Sequence, residues 1–151
     1  MEFRRSKNGD LETLSRWFNN ESDAMYWGGP NISFPINIEN LKNEIQWSGN
    51  QSYSLIENGS LVGFVQLANK FYCHHLCRVL IKPDARGRGL SKILMKFVFD
   101  SIKSDIKKYS LFVYKDNDIA INLYRNIGFH VQQHPKGQAN MDECLFMVKQ
   151  T

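Results

Sequence analysis

The sequence has 151 residues and a mass of 17.6 kDa, which corresponds to one domain of ordinary size. Hydrophobic residues make up 42% of the chain and charged residues 23%, so disordered, collagen-like and coiled-coil chains are excluded. The net charge of +4 is mild and spread along the sequence, which suits an anionic ligand but does not require nucleic acid.

The sequence also predicts the cellular setting. No apolar stretch approaches the roughly 18 residues of a membrane-spanning helix, and the start of the chain lacks the apolar region of a secretory signal. We therefore predict a cytoplasmic protein that has neither a membrane nor a nucleic acid as its partner. The three cysteines are an odd number in a chain with ample core, so reduced thiols are expected at Cys73, Cys77 and Cys144.

Apolar spacing in the first third of the chain predicts helices. After a short strand at 3–5, a helix is expected from about Asp10, whose carboxylate can cap the first turn. Residues 21–37 combine Gly and Pro with large aromatic residues, which is typical of a loop. A second helix is predicted at about 38–47.

The middle of the chain changes to the period of strands. Segments 52–57 and 60–68 flank Asn58-Gly59, the pair best suited to the positive φ angles of a two-residue hairpin turn. A third strand is expected from about 72 to 82, because Pro83 cannot donate a ladder hydrogen bond. A glycine-rich stretch then precedes a clear amphipathic helix at about 90–104.

The last third predicts a strand at 109–114, a helix at 117–127 that Gly128 ends, and two strands near 129–133 and 143–149. Strands thus come first as antiparallel hairpins and later as strand-helix-strand units. This order predicts a single α/β domain with a mixed sheet.

The strongest chemical signal is the stretch from Arg86 to Ser91 between the third strand and its helix. Its two glycines remove Cβ atoms, so several backbone N–H groups can bind one anion, and a helix N-terminus adds partial positive charge. The Lys-Ser/Thr pair of an ATP loop and the G-x-G-x-x-G spacing of a dinucleotide loop are both missing. A phosphate-binding loop and a simple tight turn both fit this segment.

A second motif distinguishes these alternatives, because the chain resembles the GNAT family of N-acetyltransferases in two places. The family motif Q/R-x-x-G-x-G/A is matched by Arg86, Gly89 and, as a conservative departure, Ser91. The later signature N-x-x-A-x-x-L-Y-x-x-x-G-F is matched in full, by Asn117, Ala120, Leu123, Tyr124, Gly128 and Phe129. The resemblance covers about residue 52 to the C-terminus. Upstream of it, where the family selects its substrate, the match is only to the family's general strand-helix-helix beginning.

The resemblance implies one N-acetyltransferase domain over residues 1–151. Its mixed central sheet would have about six or seven strands, with helices on both faces and a splayed strand pair that forms a groove for coenzyme A. It also implies direct transfer of an acetyl group from acetyl-CoA to a primary amine of a small molecule or peptide. Pairing into a homodimer is common in the family.

The same resemblance assigns cofactor contacts. The backbone of Val79 and Ile81 would pair with the pantetheine arm, and Lys82 would add charge near the phosphates. Asn117 would cap its helix, contact the cofactor, or do both. The CoA pyrophosphate would bind the N–H groups of Arg86, Gly87, Arg88, Gly89, Leu90 and Ser91.

Tyr124 matches the family's usual general acid, which hydrogen-bonds the departing CoA sulfur. A tyrosine is a weaker acid than a thiol by about 1.5 pKa units, so it would donate as thiolate charge builds. Because Tyr124 shares a helix face with Ala120 and Ile127, an ordinary core aromatic is the alternative.

The sequence offers more than one candidate for the general base. Alignment on the glycine motif puts His75 where the histone-acetylating branch of the family has a strand-borne glutamate, and a histidine is a chemically sensible replacement. Glu57 and an ordered water relay are further candidates. An ordinary strand-surface role for His74 or His75 is the bland alternative.

A zinc site is not expected at Cys73 and Cys77. On a strand these residues lie about 13 Å apart, too far for one tetrahedral ion. Upstream, Tyr26, Trp27, Phe34 and Trp47 are candidates for walls of an acceptor pocket, with Glu21 or Asp23 to attract an amine; ordinary packing is the alternative for each. The alternative to the whole enzyme hypothesis is a non-catalytic acyl-CoA-binding module with a sensory or regulatory role.

Overall fold

The computed structural model describes residues 1–138 and 141–151. These residues form seven strands hydrogen-bonded in the order β1-β2-β3-β4-β5-β7-β6, together with five α-helices. The strands are β1 Glu2–Arg5, β2 Gln51–Glu57, β3 Ser60–Lys70, β4 Cys73–Ile81, β5 Lys108–Tyr114, β6 His130–Gln132 and β7 Cys144–Gln150. The helices are α1 Asn8–Ser15, α2 Glu21–Gly28, α3 Ile38–Glu44, α4 Leu90–Ser101 and α5 Asp118–Asn126. The predicted mixed α/β class is confirmed.

The chain divides into two compact units. The first contains Met1–Gln66 and Arg78–Ser101, and the second contains Leu67–Cys77 and Ile102–Thr151. Strands β3 and β4 contribute residues to both. The assignment of all 151 residues to one acetyltransferase domain stays a prediction.

The first unit has helices on both faces of its strands. Phe3 of β1 stacks on Phe97 of α4 with ring centroids 5.6 Å apart. Its neighbour Arg4 lies on the opposite face, as strand geometry requires, and its guanidinium binds Asp10 of α1 at 2.7 Å. On that face, α1, α2 and α3 pack with β2, β3 and β4 around a core of Leu11, Leu14, Ala24, Ile32, Leu41, Ile45, Ile56, Leu61, Phe64 and Leu80.

The second unit combines parallel and antiparallel pairing. Strand β4 pairs with β5 in parallel from His74–Tyr109 to Leu76–Leu111, and β5 continues to Tyr114. Strand β7 pairs antiparallel with both β5 and β6. Helix α5 follows β5, and Gly128 stands at φ +106° just beyond its end, as its helix-ending role predicts.

The first three helices differ from the sequence prediction, and α4 ends at Ser101 rather than near 104. Helix α1 begins at Asn8, so the Asp10 carboxylate lies inside the first turn, where it accepts the backbone N–H of Lys7 at 2.8 Å. The predicted loop at 21–37 contains α2, whose start is capped by Asn20, and that prediction was wrong because Gly28-Gly29-Pro30 ends a helix here and does not replace one. Helix α3 ends at Glu44 rather than at 47.

The hairpin prediction is confirmed. Strands β2 and β3 flank Asn58 at φ +50° and Gly59 at φ +80°, which are the angles of a type I′ turn. Among the residues that the structure describes, no helix is long and apolar enough to cross a membrane.

Candidate active site

The glycine-rich stretch lies in the first unit, between β4 and α4. A short 3-10 turn at Pro83–Ala85 follows β4, and α4 begins at Leu90. Gly87 and Gly89 have φ angles of +81° and +75°. These left-handed conformations strain a residue with a Cβ, so glycine is favoured at both positions of the turn.

The backbone amides of this turn are available to a ligand. The first helical bond at this end runs from the N–H of Ile93 to the carbonyl of Gly89, at 3.2 Å. Within residues 1–138 and 141–151, no group accepts a hydrogen bond from the backbone N–H groups of residues 87–92. The Arg86 N–H differs, because it donates to Pro83 at 3.4 Å. Residues 87–92 therefore form the unpaired row, which we call the amide row.

Arg88 makes an ion pair at the edge of the amide row. Its Nη2 donates to both carboxylate oxygens of Glu57, at 2.9 and 2.7 Å. The hydrogen bond from Arg88 holds the pKa of Glu57 below its ordinary value. A carboxylate with a lowered pKa is a poorer proton acceptor, and this argues against Glu57 as the general base.

The end of β4 carries the two residues predicted to meet the pantetheine arm. Val79 is half-buried and Ile81 is buried. The carbonyl of Ile81 accepts a hydrogen bond from Nε of Arg86 at 3.3 Å, and the N–H of Lys82 donates to Val62 at 2.9 Å. These bonds fix the exit of β4 into the turn.

Tyr124 lies in the second unit on α5. It is 8% exposed, and burial raises the pKa of its hydroxyl to about 12. Its ring packs edge-on against Phe129 at 5.8 Å. Asn117 caps α5, the helix that carries Tyr124, because the side-chain oxygen of Asn117 accepts the N–H of Ala120 at 3.2 Å. The capping role predicted for Asn117 is thus confirmed.

His75 is a buried residue of the second unit and not a strand-surface histidine. It is 6% exposed, and its Nδ1 lies 2.8 Å from the hydroxyl oxygen of Ser110. The rings of Phe71 and Phe112 pack edge-on against it at 5.1 and 5.2 Å. These contacts fix the orientation of the imidazole.

His74 occupies a different environment. Its ring lies 5.4 Å from that of Tyr109, and burial lowers its pKa. A histidine with a lowered pKa stays neutral near pH 7. The buried Nε2 of His74 has no hydrogen-bond partner in the described part of the chain.

The remaining candidates divide between core and surface. Cys73 and Cys144 are buried and Cys77 is half-buried, all three as free thiols. The structure describes no group of three or more possible metal ligands in residues 1–138 and 141–151. Trp27, Phe34 and Trp47 pack against the core of the first unit, and Tyr26 is 48% exposed. The ordinary packing alternative therefore describes Trp27, Phe34 and Trp47.

Sequence reasoning missed the environment of Arg78 on β4. Arg78 has a φ of +53°, its carbonyl accepts the indole N–H of Trp27 at 2.9 Å, and its guanidinium donates to Gln66 at 2.9 Å. An arginine inside a strand pattern gives no sequence signal for a positive φ. The contact between Trp27 and Arg78 joins residues 51 positions apart, so no local pattern predicts it.

Comparison with known proteins identifies the family. Residues 14–129 match the acetyltransferase (GNAT) family. The chain belongs to the GNAT acetyltransferase family. It is therefore an acyltransferase, and the resemblance carried by the two sequence motifs is confirmed.

Curated relatives include acetyltransferases of different amines. The GNAT chain is 30% identical over 111 residues to the peptidyl-lysine N-acetyltransferase YiaC of Escherichia coli, covering 72% of this chain and 71% of that protein. It is 26% identical over 128 residues to the spermidine N(1)-acetyltransferase of E. coli, covering 82% and 69%. It spans only 30% of the UPF0157 protein YqkA of Bacillus subtilis, to which it is 28% identical over 103 residues, 68% of this chain.

A solved structure shares the fold of this GNAT chain over nearly its whole length. The PaiA N-acetyltransferase of Thermoplasma acidophilum, crystallised in complex with coenzyme A, has a TM-score of 0.75 at 22% identity. The match covers 99% of this chain and 98% of that one. The predicted GNAT fold is confirmed.

Proposed function

We propose that this protein transfers an acetyl group from acetyl-CoA to a primary amine of a small molecule or peptide. The amide row is the observation that carries the proposal. A run of unpaired N–H groups at a helix N-terminus binds phosphate, because the groups donate hydrogen bonds and the helix dipole favours negative charge. The fold shared with a CoA-bound acetyltransferase supports the same assignment.

The residues of the first unit fit the diphosphate of CoA. The two glycines leave the backbone of the turn unobstructed, since an added Cβ at Gly87 or Gly89 would meet nothing within 4 Å. Arg86, Arg88 and Lys82 lie at the turn, where Arg88 is paired with Glu57 and Lys82 with Asp84. Their contribution is electrostatic and screened by salt. Binding of CoA is therefore expected to weaken as ionic strength rises.

The reaction needs a hydrogen-bond donor for the thioester carbonyl, whose oxygen gains negative charge as the amine attacks. We assign this role to the backbone N–H of Val79, with Ile81 pairing to the pantetheine arm. A fixed backbone donor is effective because it needs no reorganisation during the reaction. As the C–S bond breaks, the phenol O–H of Tyr124 donates a hydrogen bond to the CoA sulfur and stabilises the developing thiolate, which takes up the proton released by the amine.

His75 is the proposed acceptor of the amine proton, directly or through water. In the tautomer whose Nδ1–H donates to the hydroxyl oxygen of Ser110, the lone pair of Nε2 is the basic site. We expect His75→Gln to lower kcat about a hundredfold. An unchanged kcat would assign the proton to water alone.

A substitution at Glu57 is expected to change the affinity for CoA and not kcat. Glu57→Gln removes a negative charge beside the amide row and releases Arg88 from its ion pair. We expect CoA to bind about two- to fivefold more tightly at low salt, with kcat unchanged. Calorimetry and steady-state kinetics measure the two quantities. A large fall in kcat with no gain in affinity would instead make Glu57 the base.

The acceptor class is tested by turnover. Release of CoA thiol is measured with polyamines, lysine peptides, N-terminal peptides, aminoglycosides, amino acids and arylalkylamines. Spermidine and peptidyl-lysine are acceptors named for relatives, so these two classes are the first to test. Transfer to any primary amine supports the proposal. CoA binding without transfer to any of them would favour a non-catalytic acyl-CoA-binding module.

The predicted cytoplasmic location and homodimer stay predictions. Size measurement in solution tests the dimer.

A further inference from the structure

Arg78 interrupts β4 with a left-handed backbone conformation. Among the described residues with positive φ other than glycine, Arg78 alone lies inside a strand. Such a conformation is uncommon for a residue with a long side chain and persists only where the surroundings fix it. The next residue is Val79, whose backbone N–H is the proposed hydrogen-bond donor to the thioester carbonyl.

Two independent contacts fix this residue within the first unit. The indole Nε1–H of Trp27 donates to the Arg78 carbonyl at 2.9 Å. The side chain of Arg78 is bound as well, because its Nη1 donates to the amide oxygen of Gln66 at 2.9 Å. Gln66 is 0% exposed and donates in turn to the hydroxyl of Ser52 at 3.0 Å, which fixes the orientation of its amide.

The contact with Trp27 determines where the next N–H points. The carbonyl of Arg78 and the N–H of Val79 belong to one planar trans peptide, so they point in opposite directions. A carbonyl bound to Trp27 therefore turns the Val79 N–H away from the indole.

We propose that Trp27 is a positioning residue for acyl transfer, because its indole N–H fixes the Arg78–Val79 peptide and so aims the Val79 N–H at the thioester carbonyl. This inference rests on the proposed function. Trp27 acts through the backbone of β4 and does not touch the reacting atoms. It lies on α2, outside the two motifs that carry the family resemblance.

The test compares Trp27→Phe with Trp17→Phe. Both tryptophans pack against the same apolar core, but the described residues offer no hydrogen-bond acceptor to the indole of Trp17. Isotope-edited infrared spectroscopy measures the carbonyl stretch of acetyl-CoA labelled with ¹³C at the carbonyl and bound to each protein. This readout reports hydrogen bonding to the thioester and needs no acceptor amine.

In the wild-type protein and in Trp17→Phe, the carbonyl band is expected to lie below that of free acetyl-CoA. In Trp27→Phe it is expected to move back toward the free value, with kcat reduced about 10- to 100-fold and the Kd of acetyl-CoA changed less than about threefold. If Trp27→Phe does not fold, replacement of Trp27 by 3-benzothienylalanine removes the N–H and keeps the shape, with the same expected result.

An infrared band and kcat equal to those of Trp17→Phe would overturn the inference and leave the proposed function standing. A wild-type protein that binds acetyl-CoA without any shift of the band would also overturn it. A wild-type protein that does not bind acetyl-CoA would refute the proposed function, and the inference with it.

Discussion

Ser91→Asp is expected to weaken CoA binding about a hundredfold while the protein stays folded. Ser91 is the second residue of α4 and half-buried. A carboxylate there would accept hydrogen bonds from the amide row and repel the diphosphate, at a cost to binding of about 2–3 kcal/mol. A carboxylate in the first turn of a helix is itself stabilising by about 0.3–1 kcal/mol, so the melting temperature should stay level or rise. Calorimetry with CoA and thermal unfolding measure the two effects.

Two variants control for shape and for net charge. Ser91→Asn has nearly the shape of the aspartate without its charge and is expected to bind CoA within about fivefold of wild type. Ser101→Asp adds the same charge at the other end of α4, where Ser101 is exposed, and is expected to leave affinity unchanged. Equal affinity of Ser91→Asp and Ser91→Asn would mean that the diphosphate does not bind at this turn.

Tyr124→Phe is expected to lower kcat about 10- to 100-fold and to leave the Kd of acetyl-CoA within about threefold. The substitution keeps the packing against Phe129 and removes only the proton donor. Because the pKa of Tyr124 is raised to about 12, the phenol stays protonated across the working range, and its ionisation should not lower the rate below about pH 10. Pre-steady-state release of CoA thiol separates this step from product release.

The raised pKa of Tyr124 also predicts how stability depends on pH. The fold favours the protonated phenol, so its contribution is complete below the unfolded pKa near 10 and is lost as pH rises toward 12. The free energy of unfolding should then fall by up to about 1.4 kcal/mol per pH unit from this group, and Tyr124→Phe should lack this pH-dependent decrease.

An unchanged kcat in Tyr124→Phe would contradict the catalytic role and return Tyr124 to the role of a core aromatic.

Local sequence signals predicted much of the fold. The Asn58-Gly59 turn, the amphipathic α4 and the capped α5 each depend on residues close together in the chain, and these were placed within a few residues. Helix α2 was missed because its apolar residues form no clear stripe and its end carries Gly28-Gly29-Pro30. Its start depends on a single cap, in which Asn20 accepts the N–H of Asp23.

The candidate site was predictable where it follows a local motif. The glycines that shape the amide row and the cap that positions α5 are both visible as residue spacing. The contacts that join distant segments were not: Glu57 binds Arg88 over 31 residues, and Trp27 binds Arg78 over 51. Such pairs depend on strand order and helix placement, which no local pattern specifies. The buried state of His75 likewise depends on Phe112, a residue of another strand.

The most direct test of this account is a ¹H–¹⁵N titration of the folded protein with coenzyme A. The amide row is predicted to bind the diphosphate, so the N–H signals of residues 87–92 should move downfield in proportion to occupancy, and more than those of Arg86 or the rest of α4. Saturation with coenzyme A that leaves those six signals in place, or no binding at all, would contradict the account.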